Sequence, residues 1–257
     1  MLTLTKVIVC IVAGLGAGIG TGFAGLSAAA VISPMLITFL GFPAYQAVGI
    51  ALASDVLASA VSAYTYGKHK NLDIKNGLIM MVTVLLFTLV GSYIASLVPN
   101  RSMGNFSIIM TILLGVKFIL RPVMTTKEVQ ENKSARTKII QSLICGVVIG
   151  FICGFIGAGG GMMMLLMLAS ILGYELKTAV GTSVFMMSFT AFTGAASHMA
   201  IGGLPDIPAL IICIIATLAG ALGSAKIANK SAPKTLNRVT GAVLFVLGVV
   251  MFVVNTF

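Results

Sequence analysis

Apolar residues run through this chain in long blocks with short polar breaks between them. Asp55 is the sole charge between Val7 and Gly67, and the stretches 76–100, 139–174, 178–205 and 241–257 carry none. Several of these exceed the ~20 residues that cross a bilayer as a helix. The pattern predicts two sets of five helical elements, at about 6–24, 29–41, 45–66, 76–98 and 104–121, and again at about 138–156, 161–172, 177–200, 207–226 and 236–256. The second element of each set is short. At about 1.5 Å per residue it reaches only about 18 Å, against a hydrocarbon thickness of about 30 Å.

The two sets are one unit written twice. Shifted by 132 residues, Gly18, Gly22, Phe23 and Gly25 meet Gly150, Gly154, Phe155 and Gly157, while Met35, Leu36, Leu40 and Gly41 meet Met167, Leu168, Leu172 and Gly173. Ala47-Val48-Gly49 meets Ala179-Val180-Gly181, and Gly91-Ser92 meets Gly223-Ser224, at the same offset. Identity is about a third over positions 18–49, against roughly one in ten by chance. Between the copies lies TTKEVQENKSARTK, the one long polar segment. Residues 1–124 are expected to form a first transmembrane repeat, 125–138 a cytoplasmic linker and 139–257 a second repeat.

Composition agrees with the pattern: 58% of residues are apolar and 9% charged, against about 25% charged in soluble domains. A net charge of +10 would suit nucleic acid, but the bases gather in the breaks between apolar blocks, where cytoplasmic loops collect them. No nucleic-acid partner is expected. If each repeat makes an odd number of crossings, fourteen Lys and Arg fall on one side and two, Lys6 and Arg101, on the other; four crossings per repeat give ten against six. The positive-inside rule therefore favours opposite insertion of the copies, with both termini outside. The expected fold is an all-α integral membrane protein of two inverted repeats, about five helical elements each, with a short broken helix in each half. Its expected place is the cell membrane, the inner membrane in a bacterium. Whether the short elements cross fully or re-enter is left open. The apolar N-terminal block runs into a glycine-rich segment without a cleavage signal and is read as a retained span. Cys10, Cys145, Cys153 and Cys213 lie within spans at spacings that match no metal motif, so no metal or cofactor is expected.

Candidate chemistry centres on GFICGFIGAGGG at Gly150–Gly161. Each interior glycine costs a helix roughly 0.5–1 kcal/mol relative to alanine. A break inside a bilayer is tolerated only where protein or a watery cavity satisfies the freed backbone. Paired short, glycine-interrupted segments at matching places in two inverted halves point to a transporter's binding site. The N-terminus of a short helix offers unpaired N–H groups and about half a positive charge to an anion. The short helices are expected to begin after Gly25-Leu26-Ser27 and Gly157–Gly161, with both N-termini directed at one point. The same small residues would also permit close helix packing.

GFIGAGGGMMMLLML at Gly154–Leu168 and AVGTS at Ala179–Ser183, with the weaker GFAGLSAAAVISPML at Gly22–Leu36 and AVGIA at Ala47–Ala51, resemble the TauE/SafE sulfite exporter family, of the 4-toluene sulfonate uptake permease kind. The resemblance runs through nearly the whole chain. It implies a carrier that exports or takes up small sulfur-containing or carboxylate anions such as sulfite, sulfonates or sulfoacetate. The family motif joins a glycine run to a proline, and here each half keeps one part. Gly159–Gly161 precede Leu166 in place of the proline, whereas Pro34 follows Ser27-Ala28-Ala29 in place of the glycines.

The substrate-binding candidates are thus Gly25, Ser27, Gly157, Gly159, Gly160, Gly161, Thr182 and Ser183. The two hydroxyls have Ile50 and Ala51 as counterparts, so side-chain donors come from one half. Asp55, the one acid deep in a span, is a candidate for proton or cation coupling, because intramembrane charge is costly. Ser59 and Ser62 share its helix face, and a satisfied structural carboxyl is the alternative. Tyr64, Tyr66 and His198 stand toward span ends and are expected as interfacial anchors. Gln46 and Lys177 stand at the mouths of the third elements, Lys177 as a snorkelling loop lysine. An anion channel and a membrane scaffold are the rival functions. An intramembrane enzyme is opposed by two distant histidines, no HExxH and no paired carboxylates, and no phosphate-binding Gly-Lys-Ser/Thr loop suggests ATP hydrolysis.

Overall fold

The computed structural model of the chain describes residues 3–99, 135–156 and 160–232, with helical positions scattered through 109–120 and 234–253. Every regular element among the described residues is an α-helix: α1 (Leu4–Ala24), α2 (Ala29–Leu40), α3 (Ala44–Lys68), α4 (Ile74–Ser96), α5 (Ala135–Ile156), α6 (Gly160–Ser170), α7 (Leu176–Gly202) and α8 (Ile207–Lys230). All but α2 and α6 are long and apolar enough to cross a membrane, six in total. The chain is a multi-pass membrane protein. The first four expected elements of each set reappear within a few residues of their predicted bounds, and the bounds of the two fifth elements lie outside the described residues. Helix α5 begins at Ala135, inside the segment expected as linker, whose residues 125–134 lie outside the described residues.

Local chemistry sets the helix ends. Thr3, Asp73 and Asp206 cap α1, α4 and α8, each accepting the N–H of the residue three positions on, which satisfies an otherwise orphaned donor. Gly25 closes α1 in the left-handed region at φ 64°, with its N–H on the Thr21 carbonyl. A side chain there would be strained, so glycine is what lets the chain turn sharply into α2.

Glycine also brings the long helices together. Gly14, Gly18 and Gly22 of α1 lie in register against Ala216, Thr217 and Ser224 of α8, so the two run in the same sense. Gly146, Gly150 and Gly154 of α5 lie likewise against Thr83, Val84 and Thr88 of α4. A Cβ would come within 2.0 Å of the Thr217 carbonyl oxygen at Gly18, and within 2.0 Å of the Thr88 carbonyl oxygen at Gly154. In lipid no hydrophobic force joins apolar helices, so close backbone approach carries the association. Helix α3 packs on α7 in the opposite sense, with Gly49 beside His198, Leu52 beside Gly194 and Tyr66 beside Gly181. In the fifth elements, Gly115 abuts the backbone of Phe245 and Gly248 that of Ile112.

Large apolar side chains cover the outer faces, including Ile8, Val12 and Ile19 on α1, Val82, Leu86 and Leu89 on α4, and Ile211 and Ile215 on α8. That is how a protein solvated by acyl chains distributes its apolar surface. The first two turns of α2, from Ala29 to Leu36, are buried, so this short helix is enclosed by protein and not by lipid.

At one edge, Lys6 of α1 pairs with Asp206, the cap of α8. Burial pushes the Asp206 carboxyl up, but the hydrogen bonds from Lys6 and the Ala209 N–H outweigh it and hold it below its usual value.

Two predictions follow from this packing. Gly18→Ala and Gly154→Ala each lower stability in detergent by about 1–3 kcal/mol through overpacking. Gly223→Ala, on an exposed helical site with nothing within 4 Å, is neutral or stabilising by about 0.5–1 kcal/mol; thermal unfolding of the purified protein separates them. Because the folded Asp206 carboxyl is depressed, its contribution is complete above its unfolded pKa of about 3.9 and is lost as pH falls through the lower folded value. Asp206→Asn keeps a good cap and removes this acid-dependent step in melting temperature.

Candidate functional site

The start of α6 meets the first break. Gly161, in the first turn of α6, abuts the first break so closely that a Cβ on it would lie 2.4 Å from the Gly25 carbonyl oxygen and 2.8 Å from the Ser27 nitrogen. Gly160 rests on Cys153, whose Sγ would lie 2.8 Å from an added Cβ. Ser183 of α7 stands on the other side of Gly25, its Oγ 2.5 Å from where a Cβ would be. Gly25, Ser27, Gly160, Gly161 and Ser183 are therefore gathered in one place. Gly157 and Gly159 lie outside the described residues.

Thr182 is placed elsewhere. Its Oγ1 accepts the Asp73 N–H at 3.0 Å, at the start of α4. The Tyr174 hydroxyl also reaches Asp73, at 2.9 Å. Burial, and then the Asp73 charge, push that phenol above its ordinary value, so it remains a donor. Ser183, in contrast, is back-bonded to the Val180 carbonyl at 2.8 Å, which leaves its oxygen lone pairs to accept. Lys177 donates to the Asn229 carbonyl at 2.8 Å, in the last turn of α8, where a cation complements the helix dipole.

Asp55, at the midpoint of α3 and fully buried, answers the break at the start of α2. Its Oδ2 accepts the Ala28 N–H at 2.9 Å, and its Oδ1 accepts the hydroxyls of Ser59 at 2.8 Å and Thr21 at 3.4 Å. The chain's own carboxylate thus occupies the donor end of the first short helix. Its repeat mate, 132 residues on, is Met187, whose methyl carbon would lie 2.8 Å from a Cβ on Gly161. At the matching positions the first short helix meets a carboxyl and the second the methyl end of a methionine.

A second symmetric pair stands behind each break. Tyr66 donates its hydroxyl to the Gly22 carbonyl at 3.1 Å, and His198 places Nε2 3.0 Å from the Gly154 carbonyl. Both residues and both carbonyls are 132 positions apart. The interfacial role expected of Tyr66 and His198 is corrected here. They are 1% and 2% exposed, and His198 also stacks on Tyr45 with ring centroids 4.1 Å apart. Tyr64, 71% exposed, keeps the outward position expected of it. Aligning the two polar rings across the repeat would have exposed the pair, since each matches a glycine that is itself duplicated.

The family model for the sulfite exporter TauE/SafE matches residues 10–251. The chain belongs to the TauE/SafE family. Among relatives, the probable membrane transporter protein YunE of Bacillus subtilis is 28% identical over 94% of this chain and 95% of its own length. The probable membrane transporter protein MJ0441 of Methanocaldococcus jannaschii is 28% identical over 91% of this chain and 88% of its own. The probable membrane transporter protein YdhB of Bacillus subtilis is 24% identical, covering 82% and 86%. No solved structure matches. The family and these relatives are membrane transporters and not enzymes, so the contact between α6 and the first break is to be understood as part of a transporter.

Removing the carboxylate tests how the first break is held. Asp55→Leu strands the Ala28 N–H and the hydroxyls of Thr21, Ser27 and Ser59, at about 1–3 kcal/mol for each orphaned group. Asp55→Asn keeps an accepting oxygen and loses less, as the detergent unfolding of both variants will show.

Proposed function

We propose that the chain carries small sulfur-containing anions, of the sulfite, sulfonate and sulfoacetate kind, by alternating access between two inverted halves. The observation that carries this reading is the close approach of Gly161 to Gly25 and Ser27, which joins the two broken helices into one locus. The senses of the helices support the inversion. Helices α1 and α8 run together, as do α4 and α5, while α3 and α7, repeat mates, are opposed. Halves related in this way expose a shared site first to one side and then to the other.

In this reading the anion is held at the start of α6. The first-turn N–H groups of Gly160 and Gly161 and the helix dipole attract negative charge, with Gly157 and Gly159 completing the run. Gly25 and Ser27 form the opposite wall. The donor end of α2 already holds the Asp55 carboxylate, so the two N-termini are not equivalent and one guest anion per molecule is the natural stoichiometry. Ser183 orients the wall beside Gly25, whereas Thr182 serves from the α4 start by holding the Asp73 backbone. The family description, sulfite exporter, agrees with a small oxyanion as cargo.

Purified protein in liposomes should move radiolabelled sulfite or a small sulfonate saturably and show counterflow, which a channel does not. If sulfite, sulfonates and small carboxylates all fail to move, the substrate class is wrong. Gly161→Ala separates the breaks, and because misplacement by about 1 Å costs up to about a hundredfold, flux should fall at least about tenfold. Gly223→Ala in the same vesicles should retain it.

A further inference from the structure

The C-terminal ends of α3 and α8 come together around an open cleft of about 470 Å³. Lys68 and His69 line it from the end of α3, and Lys226 and Lys230, one turn apart, from α8. All four are exposed. The His69 ring is held by Nδ1, which donates to the Thr65 carbonyl at 2.8 Å, and the Thr65 hydroxyl is bonded to the Val61 carbonyl. No ion pair among the described residues takes up Lys68, Lys226 or Lys230. Lys6 and Asp206 pair at the other end of α8, and Asp73 is engaged by Asn76 and Tyr174. Two helix C-termini present about one negative charge between them, so the three lysines leave an excess of about two positive charges.

Beside the cleft the surface changes character. A groove of about 440 Å³ is lined by Ala60, Ala63 and Gly67 of α3, Leu72 beyond it, and Phe185 and Phe189 of α7. Small residues on α3 make the hollow, and the two rings, edge to face at 5.5 Å, wall it. It opens outward, where Tyr64 is 71% and Phe189 47% exposed. From Lys68 back to Ala60 it runs about 12 Å along the helix, away from the charged end and into the apolar span. Tyr64 and Lys68 line both spaces, so cleft and groove are continuous. The repeat mates of Tyr64, Lys68, Lys226 and Lys230 are Ala196, Ala200, Ile94 and Val98. The charged cleft therefore has no counterpart in the other copy.

We propose that cleft and groove together bind one anionic phospholipid, its phosphodiester held by Lys68, Lys226 and Lys230 and an acyl chain laid between α3 and α7. The charge fixes the sign of the guest, and the groove requires that it carry a chain. A small free anion would be drawn to the same lysines but has nothing to set against Phe185 and Phe189. The level is right as well: the lysines stand at the span ends, where headgroups lie, and the groove descends among acyl chains. This end is the side expected to face the cytoplasm, whose leaflet attracts clustered lysines through its anionic lipid. Long lysine stems suit the boundary, with methylenes on the apolar wall and the ammonium at the headgroup. The occupant bridges α3, α7 and α8, which come from both copies. The lipid site stands apart from the proposed function and from the anion carried.

Native mass spectrometry of the purified, delipidated protein tests it, with phosphatidylglycerol or phosphatidylcholine of the same chains added. The parent should bind phosphatidylglycerol at least about tenfold more tightly than phosphatidylcholine. Lys226→Gln with Lys230→Gln should remove at least about tenfold of that preference, the order expected for two lysines beside anionic lipid. Lys70→Gln with Lys75→Gln takes the same charge from the same end but outside the cleft, and should keep the preference. Ala60→Phe fills the groove without touching a charge and should weaken phosphatidylglycerol binding severalfold. All of these positions are exposed, so melting without lipid should match the parent, whereas phosphatidylglycerol should raise the melting temperature of the parent and not of the cleft variant. Equal binding of the two lipids, equal loss in both lysine pairs, or unchanged binding in Ala60→Phe overturns the proposal. Displacement of the lipid by inorganic phosphate or sulfite at millimolar concentration overturns it too, in favour of a free-anion site.

Discussion

A helix that stops inside a bilayer leaves N–H groups that lipid cannot satisfy, and this protein meets that constraint at the start of α2 with a buried carboxylate. Asp55 accepts the Ala28 N–H and three hydroxyls, those of Thr21, Ser27 and Ser59, from a position half-way along α3. The bond fixes the turn between α1 and α2, and that turn supplies the wall against which Gly161 rests. A buried charge would be costly by itself, but four donors directed at it offset much of its lost hydration. The geometry of the first break rests on this one buried carboxyl.

Duplication supplied two copies of the same broken unit, and the copies have since divided their duties. Tyr66 and His198 keep one task, holding a glycine carbonyl behind each break. Asp55 and Met187 do not, and Ser59 and Ser62 of α3 have only Ala191 and Gly194 as mates on α7. Symmetry accounts for the frame, while asymmetry places charge on one side of it. In the proposed carrier such a division lets one half answer its own dipole and leaves the other for a guest.

Glycine performs two separate tasks in the same sequence. In α1 and α5 the fourfold-spaced residues at 14, 18 and 22 and at 146, 150 and 154 admit a neighbouring backbone, and so the long helices associate without a hydrophobic force between them. At Gly25 the task is conformational, and at Gly161 it is clearance for the opposite break. The two tasks share a composition but not a geometry.

Helix positions, the short second elements, the 132-residue duplication and the membrane location were all legible in the order of residues, because apolar run length and repeat offset are properties of the chain alone. Gly160, Gly161 and Asp55 were also conspicuous there, as a glycine run and a lone acid in apolar spans. Contacts between distant segments were not. Thr182 and Ser183 are adjacent in sequence, yet about 100° of helical rotation sends one to Asp73 and the other to Gly25. Tyr66 and His198 look like interfacial residues until α3 and α7 turn them inward onto glycine carbonyls. Periodicity names the face of a helix, but which neighbour that face meets is decided by packing among elements far apart along the chain.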